Sequence, residues 1–165
     1  SLKIIPHYES DPLYIDALVN SINKKINEIS WKPDLIIASY HGIPKKYFDK
    51  GDPYHCYCHK TTRLISEKFS SIKIKTTFQS RFGPQEWLQP YTDKTLENLP
   101  KEGVKNVLTI CPGFASDCVE TLEEIQIQAK ESFLNSGGEN FDMVPCLNDN
   151  SDHIILLKSL IERNI

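Results

Sequence analysis

One segment indicates the architecture of the chain: Val104-Lys-Asn-Val-Leu-Thr-Ile-Cys-Pro-Gly-Phe-Ala-Ser-Asp-Cys-Val-Glu-Thr-Leu-Glu-Glu-Ile125. It opens with a short apolar run, 104–110, of the kind that becomes a strand buried on both faces. Pro112 and Gly113 end that strand, and the following residues have the apolar period of a helix that runs to about Asn135. A strand, a loop and a helix in this order are the repeating unit of a parallel α/β sheet.

The predicted helix begins with an acidic stripe made of Asp117, Glu120 and Glu124. Their spacing, i, i+3 and i+7, places the three carboxylates on one side of a helix. Asp117 with Glu120 is close to a capping box, in which Asp117 accepts hydrogen bonds from the first free N–H groups. A stripe of carboxylates is equally suited to handling a cation. The spacing alone favours the capping interpretation, and cation binding requires support from the rest of the chain.

The rest of the chain repeats the same unit. Strands are predicted at 2–5, 34–39, 72–78, 104–110 and 141–144, and helices at 12–26, 54–69, 92–101, 117–135 and 151–163. Loops are predicted at 40–52, 79–91 and 145–150. This alternation predicts an α/β fold: a doubly wound, mostly parallel sheet with helices on both faces, in which residues 1–165 form one domain.

Composition excludes several classes of protein. The 165 residues suffice for a substantial core, and a net charge of −3 argues against a broad nucleic-acid-binding surface. The sequence has no run of about 18 apolar residues and no secretory signal, so we expect no transmembrane segment. Five cysteines, an odd number, do not suggest a secreted disulfide framework and favour the cytoplasm. The chain starts at Ser1 rather than Met, and we expect it to be part of a longer protein.

Distinctive side chains follow the predicted strands at the edge where ligands of such sheets bind. They are His41 after the second strand, Trp87 after the third, Phe114 to Glu120 after the fourth and Asn148 after the fifth. Each has a structural interpretation beside a functional one. His41 is either a hydrogen-bonded structural residue or a metal ligand and proton acceptor. Trp87 either covers a core edge or walls a flat apolar ligand, and Arg81 is either a surface charge or a carboxylate-binding group.

The run His55-Cys-Tyr-Cys-His59 is the most metal-like short motif. Cysteine and histidine at close spacing can bind zinc, copper or an iron–sulfur cluster. No second pair of cysteines completes a four-ligand set, and Cys58 and His59 fall within a predicted helix. A structural metal is therefore the less favoured interpretation of this run.

Four separate blocks of the sequence resemble motifs of the ferrochelatase family, in the same order and at the same spacing. They are Ser39-Tyr-His-Gly-Ile-Pro44 with Gly51-Asp-Pro-Tyr54, Gln79-Ser-Arg-Phe-Gly-Pro-Gln-Glu-Trp-Leu-Gln-Pro-Tyr-Thr-Asp93, Cys111-Pro-Gly-Phe-Ala-Ser-Asp-Cys-Val-Glu-Thr-Leu-Glu-Glu124, and Pro145-Cys-Leu-Asn-Asp149. The resemblance covers nearly the whole chain. It corresponds to the C-terminal half of family members, so the resemblance implies that an N-terminal domain is absent from these residues.

The resemblance implies a chelatase fold of two similar domains that hold a porphyrin between them. The implied reaction inserts Fe²⁺, as a substrate metal, into protoporphyrin IX, with no organic cofactor. The residue-by-residue match gives His41 and Glu120 as the catalytic metal-site pair, Asp117 and Glu124 as an acidic path, and Trp87, Phe114, Tyr40 and Arg81 as porphyrin-binding residues. The implied partners are the porphyrin, ferrous iron and the missing domain, with no nucleic acid and at most peripheral contact with a membrane.

The chain also departs from the pattern of some family members. Cys118 stands where some eukaryotic members have a second histidine, and the chain lacks the cysteine-rich tail that binds a [2Fe–2S] cluster in others. Cys56 and Cys58 could serve such a cluster only with ligands from elsewhere. Two alternatives stay open: a chelatase for coproporphyrin or another tetrapyrrole and metal, and a non-catalytic metal-binding module that uses His55, Cys56, Cys58 and His59.

Overall fold

The computed structural model describes residues 2–165, which form a parallel sheet with helices on both faces. The strands are β1 (Leu35–His41), β2 (Lys73–Gln79), β3 (Asn106–Ile110) and β4 (Asn140–Met143). The helices are α1 (Pro12–Glu28), α2 (Lys45–Asp49), α3 (Tyr54–Ser66), α4 (Thr92–Asn98), α5 (Val119–Leu122), α6 (Lys130–Asn135) and α7 (Ser151–Glu162). A 3₁₀ turn, Leu99–Glu102, extends α4, and a π-helix, Glu124–Ala129, joins α5 to α6.

The strand order β2-β1-β3-β4 determines where a ligand can bind. All three strand pairs are parallel, which confirms the predicted doubly wound α/β fold. The chain moves from β1 to one neighbour, β2, and then crosses to the other neighbour, β3. The winding therefore reverses between β1 and β3, and the loops that follow these two strands diverge to leave a crevice at their carboxyl ends.

Successive side chains of a strand point to opposite faces of the sheet, so the apolar residues form two cores, one on each face. In β1, Ile36 and Ala38 face the core that contains α1, α3 and α7, whereas Ile37 faces the core that contains α4, the π-helix and α6. Both faces of β1 are buried, as expected for the central strand of a parallel sheet. Because side chains alternate, His41 lies on the same face of β1 as Ile37, toward the acidic helix.

The predicted first strand is wrong. Residues 2–7 have no regular secondary structure, and Leu2 and Ile4 are 88% and 84% exposed. A strand needs a partner for its N–H and C=O groups, and the sheet within residues 2–165 ends at β2 and β4. The next element agrees with the prediction, because Pro12 opens α1 and the Asp11 carboxylate caps it by accepting from the N–H of Leu13 at 3.0 Å.

The acidic helix differs from its prediction in two ways. Its N-cap is Cys118, so Asp117 lies before the helix and does not cap it. The N–H of Gln128 then donates to the carbonyl of Glu123, five residues earlier, which is the hydrogen bond of a π-helix. Because Asp117 lies outside the helix, the three acids do not share one helical stripe.

Two further element boundaries differ from those predicted, because tertiary contacts outweigh the local sequence signals. The predicted loop 40–52 contains the end of β1 and the short helix α2. Thr92, predicted as an N-cap, is the first residue of α4, and its buried hydroxyl is shared with Ser39 at 2.8 Å and Thr77 at 2.9 Å. Within residues 2–165, no helix is both long and apolar enough to cross a membrane.

Candidate functional site

His41 stands at the carboxyl end of β1, and its ring lies near two aromatic side chains. The ring centroids of Trp87 and Phe114 are 6.5 Å and 6.3 Å from that of His41, with interplanar angles of 53° and 48°. Trp87 comes from the loop after β2, and Phe114 from the loop after β3. Two loops and the end of β1 therefore meet at one imidazole, at the sheet edge that the sequence predicted.

The backbone holds His41 in one tautomer. Its Nδ1 lies 2.7 Å from the carbonyl oxygen of Gly42, which can only accept, so Nδ1 carries the hydrogen and donates it. In a neutral imidazole, Nε2 then has a free lone pair that can take a proton or bind a metal ion. The main chain here is fixed as well, because the phenol of Tyr54 donates to the carbonyl of His41 at 2.9 Å and the N–H of Gly42 donates to Gln79 at 2.8 Å.

Position 42 requires glycine, because the chain after β1 passes very close to the end of β2. A Cβ at this position would stand 2.9 Å from the carbonyl oxygen of Gln79 and 3.3 Å from Cε3 of Trp87. The loop that carries Trp87 is tied to the same region by the hydrogen bond from the N–H of Leu88 to Ile43, at 3.0 Å. The absence of a side chain at Gly42 therefore allows Trp87 to pack beside His41.

Glu120 is the carboxylate that follows β3, the strand next to β1. A hydrogen bond from Cys118 and another from its own backbone N–H lower the pKa of Glu120. Glu120 is thus ionised at neutral pH. A carboxylate at the same edge of the sheet as an imidazole can bind a dication or receive a proton.

Gln79, the last residue of β2, connects the sheet to the acidic helix. It is 4% exposed; its Oε1 accepts from Ser39 at 2.7 Å, and its Nε2 donates to the carbonyl oxygen of Glu120 at 2.6 Å. The same Nε2 lies 3.3 Å from the carboxylate of Glu124, and the thiol of Cys111 lies 3.7 Å from Oε1. One buried amide therefore fixes the position of Glu120 relative to β1, β2 and the end of β3.

Glu124 stabilises the turn at the end of β2. Its carboxylate accepts from the N–H of Ser80 at 2.6 Å and from the hydroxyl of Ser80 at 2.5 Å. Ser80 has a φ of 62°, an uncommon conformation for a residue other than glycine, and these two bonds support it. Glu124 also lines a cavity of about 350 Å³ together with Arg81 and Gln128.

Asp117 joins the loop after β3 to the loop after β4. Its carboxylate accepts from Nδ2 of Asn148 at 2.8 Å, from the N–H of Cys146 at 3.2 Å and from the hydroxyl of Thr121 at 3.2 Å. Partial burial would raise the pKa of Asp117, but the hydrogen bonds from Asn148 and Cys146 outweigh it and hold the pKa below its usual value. Asn148 also accepts from the N–H of Asp117 at 2.9 Å, so the two side chains lock both loops together.

Two of the predicted porphyrin-binding residues have other contacts in the structure. Tyr40 lies on the face of β1 opposite to His41, is 3% exposed and shares a hydrogen bond with Thr62 at 3.0 Å, and it lines a cavity of about 270 Å³ together with Phe114. Arg81 makes a two-pronged ion pair with Asp93, at 3.0 and 2.7 Å, and its guanidinium lies 4.3 Å over the ring of Tyr91. This ion pair is at the surface.

The structure does not assemble the metal-like run His55 to His59 into one ligand set. Cys58 is 3% exposed beneath α3, and burial raises its pKa to about 12, whereas Cys56 is exposed. Residues two apart on a helix point in nearly opposite directions, so Cys56 and Cys58 cannot bind the same ion. Across residues 2–165, no three His, Cys, Asp or Glu side chains come together as a complete metal site.

Comparison with known proteins shows the family to which the chain belongs. The family model described as Ferrochelatase matches residues 1–165. The chain is 55% identical to a ferrochelatase of Rhizobium meliloti, 54% to one of Allorhizobium ampelinum and 50% to one of Brucella ovis, each time over all of this chain. The chain belongs to the ferrochelatase family. It spans about half the length of the curated relatives it matches, namely 49%, 48% and 47% of these three.

The sequence pattern predicted His41, Trp87, Phe114 and Glu120 as site residues, but it did not predict the residues that support them. Gln79 was predicted only as the start of a loop, and Ser80 was not predicted to have any role. The signal that could have identified them is a polar residue at the end of a buried strand, where an apolar one is expected. Ser39 and Thr77 carry the same signal, since both are fully buried.

Proposed function

We propose that this chain is the C-terminal half of an enzyme that inserts ferrous iron into protoporphyrin IX. The observation that carries the proposal is the imidazole of His41, whose Nε2 is left free by the hydrogen bond of Nδ1 and whose ring lies near Trp87 and Phe114. The ionised Glu120 follows the neighbouring strand, at the same edge of the sheet. Membership of the ferrochelatase family and the names of the relatives support the same reaction. The cysteine content supports a location in the cytoplasm.

The proposed reaction requires a base and a path for a dication. Fe²⁺ replaces two pyrrole protons, so the neutral porphyrin and the ion give the iron porphyrin and two protons. Nε2 of His41 is the group that can accept one of them, and Glu120 can accept the other or hold the incoming ion. Because His41 and Glu120 are only two ligands, the remaining positions on the ion are left to water, to the porphyrin nitrogens or to the other half of the protein.

The aromatic side chains have a separate proposed role. A flat macrocycle binds a metal slowly until it is bent, and rigid walls can use binding energy to bend it. Trp87 is fixed for this purpose by the hydrogen bond from its Nε1 to the carbonyl of Phe82, at 2.8 Å. We assign Asp117 and Glu124 to positioning rather than to ion transfer, because their carboxylates already accept hydrogen bonds from neighbouring loops.

The test compares His41→Ala and Glu120→Gln with the control Glu123→Gln in the full-length protein, under anaerobic conditions with ferrous iron and protoporphyrin IX. Glu123 is exposed, three residues after Glu120, and its carboxylate accepts a hydrogen bond from Gln128 at 3.3 Å. Each site variant should lower kcat by about 100-fold or more, whereas the control should match the wild type. Wild-type rates in His41→Ala would refute the site, and haem formation from coproporphyrin alone would refute the substrate.

The chain of 165 residues should be much slower than the full-length protein, because a porphyrin held on one side only is poorly oriented for reaction. The comparison uses the same anaerobic assay, with the two proteins at equal molar concentrations. Equal rates would contradict the proposal that a second domain, absent from these residues, completes the cleft.

A further inference from the structure

A pair of histidines on α3 is not used by the proposed reaction. His55 and His59 are four residues apart, so they lie one turn apart on the same side of the helix. Their ring centroids are 4.4 Å apart, and the ring planes meet at 47°. Two histidines four residues apart on one face of a helix can direct one nitrogen of each ring toward a common ion.

Two phenylalanines hold the imidazoles in place. The ring of Phe48 lies 4.8 Å from His55, and Phe78 lies 5.7 Å from His55 and 6.2 Å from His59. Phe78 is 2% exposed and belongs to the core, so it is a fixed surface for both histidines. Side chains that are already restricted lose less conformational entropy when they bind an ion.

The ring nitrogens of both histidines are available. Among residues 2–165, neither imidazole has a hydrogen-bond partner, in contrast to His7, His41 and His153, each of which bonds through Nδ1.

Nearby charges do not oppose a cation. The ammonium of Lys45, which lines the same cavity of about 240 Å³ as His55, is paired with Asp49 at 2.9 Å. On the next turn, Lys60 is paired with Glu9 at 3.0 Å. Glu86 also lines the cavity of His55 and adds a negative charge to its rim.

We propose that His55 and His59 form a binding site for one divalent transition-metal ion of the zinc and copper class, separate from His41. Imidazole pairs prefer Zn²⁺, Cu²⁺ and Ni²⁺ to Mg²⁺ and Ca²⁺, which require oxygen ligands. Water completes the coordination, because the neighbouring Cys58 is buried and Cys56 projects from another side of α3. The site is a two-histidine chelate on a helix surface and needs no ligand from another domain.

The experiment titrates the full-length protein with Cu²⁺ and, separately, with Zn²⁺ by calorimetry, in a His41→Ala background that removes the other candidate ligand. The His41→Ala protein should still bind one ion per chain. His55→Gln and His59→Gln should each weaken binding by about 100-fold, because the second imidazole acts as an intramolecular ligand. Cys56→Ser and His7→Gln are the matched controls and should leave the affinity within about threefold.

Fluorescence gives an independent measurement. Trp87 lines the same cavity as His55, so Cu²⁺ bound at this site should quench Trp87 in a Trp31→Phe, His41→Ala protein. The quenching should disappear in His55→Gln and persist in His7→Gln.

Unchanged affinity in both His55→Gln and His59→Gln would overturn the proposal. If a variant loses the circular dichroism of the folded protein, imidazole NMR of the parent decides instead. Zn²⁺ must then shift the resonances of both His55 and His59, and a shift confined to other histidines would refute the site.

Discussion

Replacing Gln79 by methionine tests whether one buried amide fixes Glu120. The two side chains have similar length and volume, so the change removes hydrogen bonds without leaving a large cavity. The variant loses the bond from Ser39 at 2.7 Å and the bond to the carbonyl of Glu120 at 2.6 Å. It also loses the longer contact with Glu124, at 3.3 Å.

The expected loss of stability follows from these contacts. Each of the two short neutral bonds contributes about 1 kcal/mol net, and the carbonyl of Glu120 loses this partner. Ser39 keeps a second partner in Thr92 at 2.8 Å, and Glu124 keeps both bonds from Ser80, so neither group is left alone. The free energy of unfolding should therefore fall by about 2–3 kcal/mol.

Urea denaturation followed by circular dichroism measures this loss, with Gln126→Met as the control. Gln126 is exposed on the same π-helix and should tolerate the change within about 0.5 kcal/mol. In the iron-insertion assay, Gln79→Met should lower kcat about 10-fold with little change in KM, because Glu120 is no longer held in position. Equal stability and equal kcat in the two variants would refute the positioning role of Gln79.

Three further predictions use the same structure. Gly42→Ala should lower the free energy of unfolding by about 1–3 kcal/mol, because the new Cβ would stand 2.9 Å from a carbonyl oxygen; an unchanged urea midpoint would contradict the close approach. The pKa of Asp117 is lower in the folded protein than the ordinary aspartate pKa of about 4, so its ionised carboxylate stabilises the fold above that pH. This stabilisation is lost as the pH falls through the pKa that Asp117 has in the folded state. Asp117→Asn should therefore be less stable at pH 7 and depend less on pH between 3 and 5 in urea titrations; an unaltered slope would exclude this carboxylate as the cause. Iodoacetamide at pH 8 should modify Cys56 and spare Cys58, whose pKa is about 12, and mass spectrometry showing equal modification would be inconsistent with the buried position of Cys58.

Hydrophobic periodicity determined the elements that bury their apolar residues. The run before Cys111 forms the buried strand β3, and the pattern that begins at Pro12 forms α1. In each segment the spacing of the apolar residues fits only one kind of element, so it could be predicted from the sequence. Periodicity failed at residues 2–5, an apolar run that pairs with none of the strands within residues 2–165. The sequence likewise indicated that His41 and Glu120 follow strands whose carboxyl ends meet at one edge of the sheet.

Only the tertiary structure decided what each polar side chain of the site does. Asp117 and Glu124 have the spacing of a helix stripe, yet one binds Asn148 and the other binds Ser80, on loops 31 and 44 residues away in the sequence. The tautomer of His41 depends on the orientation of the carbonyl of Gly42, and the role of Gln79 depends on three elements that meet around it. Local spacing sets which way a side chain leaves its own helix or strand, whereas its hydrogen-bond partners are set by packing between distant segments, which periodicity does not encode.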